Sequence, residues 1–218
     1  MSEKIQDFSG WMDEDVAGTI LHVKLLKLNY TTELRSKQMR TRLLTGGEIL
    51  LARMVFQTTL PYNQITISDA MGLGGRPFTI PMFNEGQSVA SIFGTLLFGP
   101  LVTPAILLTR PSSYMLNIGA KGFANALASD QVATFIHELA HVWQSFNQTF
   151  SSAYIFNSLW HQAISNGAAY SYSPGQAWGS YNVEQQAHLV EDWFQADGMS
   201  PASSRFTYIQ SNIRARRP

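Results

Sequence analysis

The pattern of apolar and polar positions is clearest between residues 130 and 147, where it repeats with the period of an α-helix. The apolar residues recur at spacings of three and four: Val132, Phe135, Ile136, Leu139, Trp143 and Phe146. Asp130 or Ser129 can cap a helix that begins near residue 131. His137, His141 and Gln144 fall on another stripe of the same helix. The pattern predicts a buried helix that carries two imidazoles.

A second amphipathic helix is predicted over residues 181–194. Its apolar stripe consists of Val183, Ala187, Val190 and Phe194. Glu184 lies in its first turn beside that stripe, and His188 follows one turn later on the same face. The helix can therefore present a carboxylate and an imidazole to a neighbouring element.

Shorter elements are predicted elsewhere, whereas residues 17–30 fit either a strand or a helix. Thr45 and Glu48 have the spacing of a capping box and predict a helix over about 46–57. Alternation predicts short strands at 65–68 and 78–80, joined by a glycine-rich turn that lacks the Gly-Lys-Ser/Thr end of a phosphate-binding loop. Residues 114–118 predict a further strand, which is a candidate for an edge strand that pairs with an extended substrate.

Composition indicates a globular protein built around one main domain. The chain has 218 residues, of which 45% are hydrophobic and 14% are charged. Fifteen basic and fifteen acidic residues give no net charge, so the overall field favours neither nucleic acid nor an anionic membrane as partner. We expect an N-terminal extension at 1–40, the main domain at 41–204 and a basic tail at 205–218, whose last five residues we expect to be solvated.

Two absences in the sequence bear on chemistry and location. Cysteine is absent, which excludes disulfides, thiolate ligands and a cysteine nucleophile. The first residues lack the basic and apolar regions of a secretory signal. We expect a protein that is made in the bacterial cytoplasm and that reaches another compartment, if it does so, by a different machine.

The candidate chemistry lies in the stretch His137-Glu138-Leu139-Ala140-His141. Side chains four residues apart share a helix face, so both imidazoles can bind one zinc ion, and Glu138 can accept a proton from a water molecule beside it. Such a short motif also occurs by chance in helices that bind nothing. Without a metal, two buried histidines and a glutamate would need other polar partners, because burying unpaired polar groups is costly. This cost favours a metal site.

Catalytic zinc sites usually have three protein ligands, and the third must come from further along the chain. The candidates are His161, His188, Glu184, Glu191, Asp192 and Asp197. Glu184 can complete a His, His, Glu site if the two helices pack together. Glu191 and Asp192 lie two turns further on, where we expect them to be solvated or to contact a metal-binding side chain rather than the metal itself.

Several segments together resemble a known family. These are residues 45–53 (Thr-Gly-Gly-Glu-Ile-Leu-Leu-Ala-Arg), Val55-Phe56, Tyr62, residues 135–144 with their His-Val-Trp-Gln ending, and residues 181–194 with a Glu-Gln-Gln-Ala core. They span residues 43–196 and resemble the zincin-like metallopeptidase domains at the C-termini of type VI secretion spike proteins of the valine-glycine repeat family, and of related stand-alone effectors. The resemblance implies zinc ligands at His137, His141 and Glu184, and a catalytic base at Glu138.

The same resemblance implies an antibacterial toxin with a peptide or protein substrate and a cognate immunity protein. The chain as read starts without a spike module, so we expect a carrier or adaptor to deliver it. It also departs from the family in a stretch at 86–109 that has no charged residue. Glycine and proline interrupt this stretch, which favours core and site wall over a surface for lipid or a delivery protein.

The sequence thus predicts an α+β zincin-like metallopeptidase, with a small twisted sheet beside the active-site helix and a second helix that carries the third zinc ligand. Donors for the oxyanion of the reaction could be His161, Tyr181 or His188, among which the sequence does not choose. We expect action in the periplasm of a target cell. The alternatives are a metal-stabilised binding or membrane-active toxin without turnover, and a housekeeping peptidase.

Overall fold

The computed structural model describes residues 39–72, 75–82, 111–147 and 171–218. Three sequence-based expectations lie outside these ranges: the N-terminal extension before residue 39, the uncharged stretch at 86–109, and His161. Arg40–Pro218 belong to one compact unit.

Four short strands in the described part of the chain form one sheet. They are β1 (Thr41–Leu43), β2 (Ile65–Ser68), β3 (Phe78–Met82) and β4 (Ser113–Asn117), in the order β1-β2-β4-β3. β2 and β4 are parallel, whereas β1 pairs with β2 and β3 pairs with β4 in antiparallel fashion. Before β3, Gly72 N donates to Arg76 O at 2.7 Å, which is consistent with the predicted turn.

The expectation of an edge strand at 114–118 is wrong. β4 is paired on both sides, so its backbone groups are used within the sheet. Among the described strands, the edge on this side is β3. β3 also contains Pro81, which has no N–H to donate and is therefore suited to an edge position.

The three predicted helices are present with nearly the expected bounds, and two short helices occur that the sequence did not predict. They are α1 (Gly46–Phe56), α2 (Gly119–Ala124), α3 (Val132–Asn147), α4 (Val183–Gln195) and α5 (Phe206–Tyr208), which continues into a π-helical turn at Ile209–Ile213. Short 3₁₀ turns occur at Tyr62–Gln64 and Trp178–Ser180. The described residues therefore confirm the α+β class. Within these same ranges, none of the helices combines the length and apolar character that crossing a bilayer requires.

α3 lies in the centre of the core and packs against α4 on one side and β3 on the other. Phe135, Leu139 and Trp143 in the middle of its apolar stripe are fully buried, as are Ala187 and Val190 of α4. This packing follows from the two apolar faces that the sequence predicts, because each helix must cover its stripe. It brings the polar stripe of α3 against the first turns of α4.

The C-terminal segment packs against the core as far as Arg214, whereas residues 215–218 are exposed, as expected for a solvated end. Ile209 and Ile213 are buried, and Trp143 Nε1 donates to the Ile213 backbone oxygen at 2.9 Å. Arg214 donates to the backbone oxygens of Met54 and Val55 at the end of α1. The last carbonyls of a helix lack partners within it, so arginine at this place stabilises the helix end.

Glu48 connects the start of α1 to β1, and its loss should destabilise the fold. Its carboxylate accepts hydrogen bonds from Arg42 at 2.7 and 2.8 Å and from Thr45 N at 2.7 Å, which completes the predicted capping box. Glu48→Ala removes both the cap and the buried partner of Arg42. We expect it to cost about 2–3 kcal/mol of unfolding free energy in urea titrations at pH 7.

Glu48→Gln provides the control for charge. Burial raises the pKa of Glu48, but hydrogen bonds from Arg42 and Thr45 outweigh burial and leave the pKa below its usual value. A depressed folded-state pKa adds stability above the unfolded-state pKa, and this stability is lost as the pH falls through the folded-state value. The difference in unfolding free energy between wild type and Glu48→Gln should therefore become smaller below about pH 4. A difference that stays constant down to pH 3 would contradict this role of the charge.

Candidate metal centre

His137 and His141 lie one turn apart on the polar stripe of α3. Their ring centroids are 4.8 Å apart and the ring planes are nearly perpendicular. His141 is buried, and the His137 side chain is 12% exposed. The helical period alone places them together, as the sequence predicts.

Glu184 reaches both imidazoles from the first turn of α4. Its Oε2 lies 3.4 Å from His137 Nε2 and 3.3 Å from His141 Nε2. A capping box between Asn182 and Gln185 fixes the start of α4 and with it the position of Glu184. The structure thus brings together the three side chains that the sequence analysis names as ligands.

These distances fit a tetrahedral metal ion. Two atoms that bind one zinc ion at about 2.0–2.1 Å lie about 3.3 Å apart, which is close to both observed separations. The other oxygen of Glu184, Oε1, is buried and has no hydrogen-bond partner among the described residues. Two imidazole nitrogens and a carboxylate are a usual donor set for zinc, and a cation would also satisfy the buried Oε1.

Gln144, one turn after His141 on α3, orients the ring of His141. Its Oε1 accepts from His141 Nδ1 at 2.8 Å. Its Nε2 donates to Val183 O and to Gln186 Oε1, so the amide of Gln144 can only turn its oxygen toward the histidine. His141 therefore carries a proton on Nδ1 and directs Nε2 toward Glu184, which is the arrangement that metal-binding histidines have.

Glu191 orients His137 in the same way. Its Oε2 accepts from His137 Nδ1 at 2.9 Å and lies 3.3 Å from His188 Nδ1. From the sequence, Glu191 is expected either to be solvated or to contact a candidate metal-binding residue, and it contacts His137. His137, His188 and Glu191 form a second group whose atoms are close enough for one cation. This group is more exposed than His137, His141 and Glu184, and its carboxylate already orients His137.

Glu138 is buried beside the two histidines and is anchored to the sheet. Thr79 of β3 donates from Oγ1 to Glu138 Oε2 at 2.7 Å, and the same hydroxyl lies 3.1 Å from the Glu138 backbone oxygen. The sequence does not predict this contact, because Thr79 lies 59 residues from Glu138 and no local pattern relates the two.

The site concentrates negative charge around its imidazoles. Burial lowers the pKa of His137, but Glu184 and Glu191 outweigh it and raise the pKa to about 10. Burial also lowers the pKa of His141, and again Glu184 reverses the direction. Burial raises the pKa of Glu184, but the histidines hold it well below its usual range, whereas burial dominates for Glu138 and raises its pKa. Such a site favours a cation, whether protons or a metal.

A cleft of about 190 Å³ leads to these residues. Besides His137, Glu138, His141, Glu184 and Glu191, its described lining consists of Arg76, Pro77, Thr134 and His188. His188 is partly exposed at the cleft, and burial together with the nearby His137 lowers its pKa. It therefore remains a candidate donor to a substrate.

Tyr181, the other oxyanion candidate in the described residues, is placed elsewhere. It is buried, its hydroxyl donates to Ser173 O at 2.8 Å, and it accepts from Gln176 N at 3.1 Å. It is not among the residues that line the cleft. Its hydroxyl is used to hold the segment before α4, which the sequence could not indicate because these partners are backbone groups.

The sequence is similar to part of a known secretion protein. Over 178 residues it is 34% identical to the type VI secretion system spike protein VgrG2b of Pseudomonas aeruginosa. The alignment covers 79% of this chain and 15% of that protein. The chain is therefore related to a segment of a type VI secretion spike protein, and it spans a small fraction of that protein's length. No protein-family model matches the sequence, and no solved structure matches the fold.

Proposed function

We propose that this protein is a zinc-dependent peptidase that acts as a type VI secretion effector. The observation that supports it most is the convergence of His137 Nε2 and His141 Nε2 on one oxygen of Glu184, in a cleft that Glu138 also lines. A merely structural metal site has no need of a buried carboxylate next to the ligands. The α+β arrangement of a sheet edge beside α3 is consistent with a zincin-like fold.

His137, His141 and Glu184 would hold the zinc, with Gln144 and Glu191 fixing the two rings. When bound, zinc supplies a Lewis acid that polarises the substrate carbonyl and increases the acidity of water. Glu191 and Gln144 keep Nδ1 of each histidine protonated, so that each Nε2 retains the lone pair that a ligand needs.

Glu138 would move the proton of the reaction. Its carboxylate accepts a proton from the attacking water and delivers it to the nitrogen of the leaving amine. The hydrogen bond from Thr79 leaves one carboxylate oxygen, Oε1, to do this and limits rotation of the side chain. Burial raises the pKa of Glu138, which makes the carboxylate a stronger base than an exposed glutamate.

β3 would position the substrate. In the described sheet one side of β3 pairs with β4, and its other side can add an extended peptide. Thr79 lies on β3 and contacts Glu138, so a peptide that pairs here passes close to the catalytic base. His188, partly exposed in the cleft, could donate a hydrogen bond to the oxyanion.

The relation to a spike protein supports the proposed delivery. Spike modules belong to the secretion apparatus itself, so a related segment fits an effector that the apparatus carries into a target cell. We propose that a carrier or adaptor delivers this chain, that it acts in the periplasm of the target, and that the producing cell makes an immunity protein against it.

Removal of the metal tests the chemical part of the proposal. The purified protein should cleave an unfolded protein substrate such as reduced casein, and treatment with a chelator should abolish the cleavage. One equivalent of zinc should restore it, whereas magnesium should not, because imidazole ligands select zinc over magnesium. Cleavage that continues in metal-free protein, as confirmed by elemental analysis, would exclude a zinc peptidase.

A further inference from the structure

Arg76 lines the cleft, but it forms no ion pair with the other charged residues there. The described lining contains three carboxylates, those of Glu138, Glu184 and Glu191. Glu138 accepts from Thr79, Glu184 contacts the two histidines of α3, and Glu191 contacts His137 and His188. Arg76 is the one arginine in that described lining. Its guanidinium has no ion pair or hydrogen bond with the described residues.

Most other arginines of the described ranges are bound to protein groups. Arg40 pairs with Asp69, Arg42 with Glu48 and Arg205 with Asp197. Arg214 and Arg216 donate to backbone oxygens near the end of α1. Arg76, by contrast, is exposed and lines the cleft, so its guanidinium can bind a molecule that enters there.

The backbone around Arg76 is fixed relative to the catalytic base. Gly72 N donates to Arg76 O at 2.7 Å and closes the turn before β3, where Gly75 adopts a positive φ of 69°. Pro77 follows and restricts its own φ. Two residues further along β3, Thr79 is hydrogen-bonded to Glu138. Arg76 thus lies at one end of the strand that we propose to position the substrate.

We infer that Arg76 selects substrates that carry a free carboxylate near the bond to be cleaved. This inference rests on the proposed peptidase function and adds the class of substrate. A guanidinium offers paired N–H donors that match the two oxygens of a carboxylate, and it keeps its charge at any physiological pH. The carboxylate could belong to an aspartate or glutamate side chain or to the C-terminus of a peptide, since both present the same group.

Matched peptides separate the two sources of carboxylate. Internally quenched peptides would carry one glutamate, or glutamine in its place, at successive positions, each with a free or an amidated C-terminus. For the zinc-loaded full chain, kcat/KM should be about tenfold higher for a carboxylate peptide than for its neutral counterpart. The carboxylate peptide is either the best substrate of the glutamate series or the peptide with a free C-terminus. Loss of the preference on amidation would identify the C-terminus, and loss on glutamine substitution would identify the side chain.

Arg76 variants test the residue itself. Arg76→Ala should remove the preference, mainly by raising KM for the carboxylate peptides, without changing zinc content. Arg76→Lys should retain part of it, because lysine keeps the charge but not the paired geometry. Arg217→Ala, which changes an exposed arginine at the C-terminus, is the matched control and should keep the full preference. An acidic preference that survives in Arg76→Ala, or wild-type protein without any preference, would overturn the inference.

A binding measurement makes the inference independent of turnover. Zinc-loaded Glu138→Gln, with and without Arg76→Ala, would be titrated with fluorescein-labelled versions of the same peptides. Tighter binding of carboxylate peptides that depends on Arg76 supports the inference, and equal binding of acidic and neutral peptides overturns it. Failure of the proposed function has a different signature, namely no cleavage of any peptide by the zinc-loaded wild type.

Discussion

Glu138→Gln should lower peptidase turnover by about 10²–10⁴-fold while leaving the metal centre and the fold intact. The substitution preserves the size of the side chain, and the amide oxygen can still accept the hydrogen bond from Thr79 Oγ1. What it removes is the ability to accept a proton from water. The loss should therefore be in kcat, with zinc content by elemental analysis and thermal melting close to wild type.

The same substitution separates catalysis from toxicity. The wild type and Glu138→Gln would be expressed in bacteria without and with an added export signal. We expect killing by the exported wild type and none by exported Glu138→Gln, because the proposed target lies in the periplasm. Equal killing by both proteins would mean that toxicity does not require turnover, and it would favour a binding or membrane-active toxin.

Thr79→Val is a companion to Glu138→Gln. It removes the hydroxyl that fixes the Glu138 carboxylate but keeps the β-branched shape that suits β3. Because the base itself remains, Thr79→Val should lose less activity than Glu138→Gln. A loss as large as that of Glu138→Gln, with β3 intact, would show that the position of the carboxylate matters as much as its presence.

The helices and the three candidate ligands could be predicted because their determinants are local. The capping box of Thr45 and Glu48 involves neighbouring residues, and the spacing of His137 and His141 is that of one helical turn. Glu184 could be anticipated because both helices have a clear apolar stripe, and packing these stripes together brings the polar residues beside them into contact.

The strand order and the contacts around the ligands could not be predicted in this way. Alternation identifies 114–118 as a strand but does not say whether it is paired on one side or both, which depends on residues far away in the sequence. Pro81 is the one local signal that favours an edge position for β3. The bonds from Thr79 to Glu138 and from His137 to Glu191 join residues more than 50 positions apart, and such pairs have no local pattern.

The C-terminal segment shows a different limit. Its arginines suggest a solvated end, and residues 215–218 are exposed, but Ile209 and Ile213 recur at helical spacing and are both buried. Charge alone does not show where the packed part ends, because arginine can lie at a surface while its neighbours pack inward. The apolar spacing was the more informative signal.

Glu184→Gln and Glu191→Gln should weaken zinc binding to very different extents, although they make the same chemical change on the same helix. Glu184 is placed at a ligand separation from both histidines, and a neutral amide is a poor zinc ligand, so Glu184→Gln should lose most of its zinc. Glu191→Gln keeps an oxygen that can accept from His137 Nδ1, so zinc affinity should fall by about tenfold to a hundredfold at most.

The structure also defines the result that would contradict this assignment. If the metal instead bound at His137, His188 and Glu191, then Glu191→Gln and His188→Ala would lose zinc, and Glu184→Gln and His141→Ala would keep it.

Competition with a chromogenic chelator would give the zinc affinity of each variant. Thermal melting provides a second measurement, since zinc at a thousandfold excess over its Kd stabilises the folded state by about 4 kcal/mol. We expect this zinc-dependent shift in Tm to persist in His188→Ala and to vanish in His141→Ala, because His141 Nε2 is directed at Glu184 whereas His188 contacts Glu191.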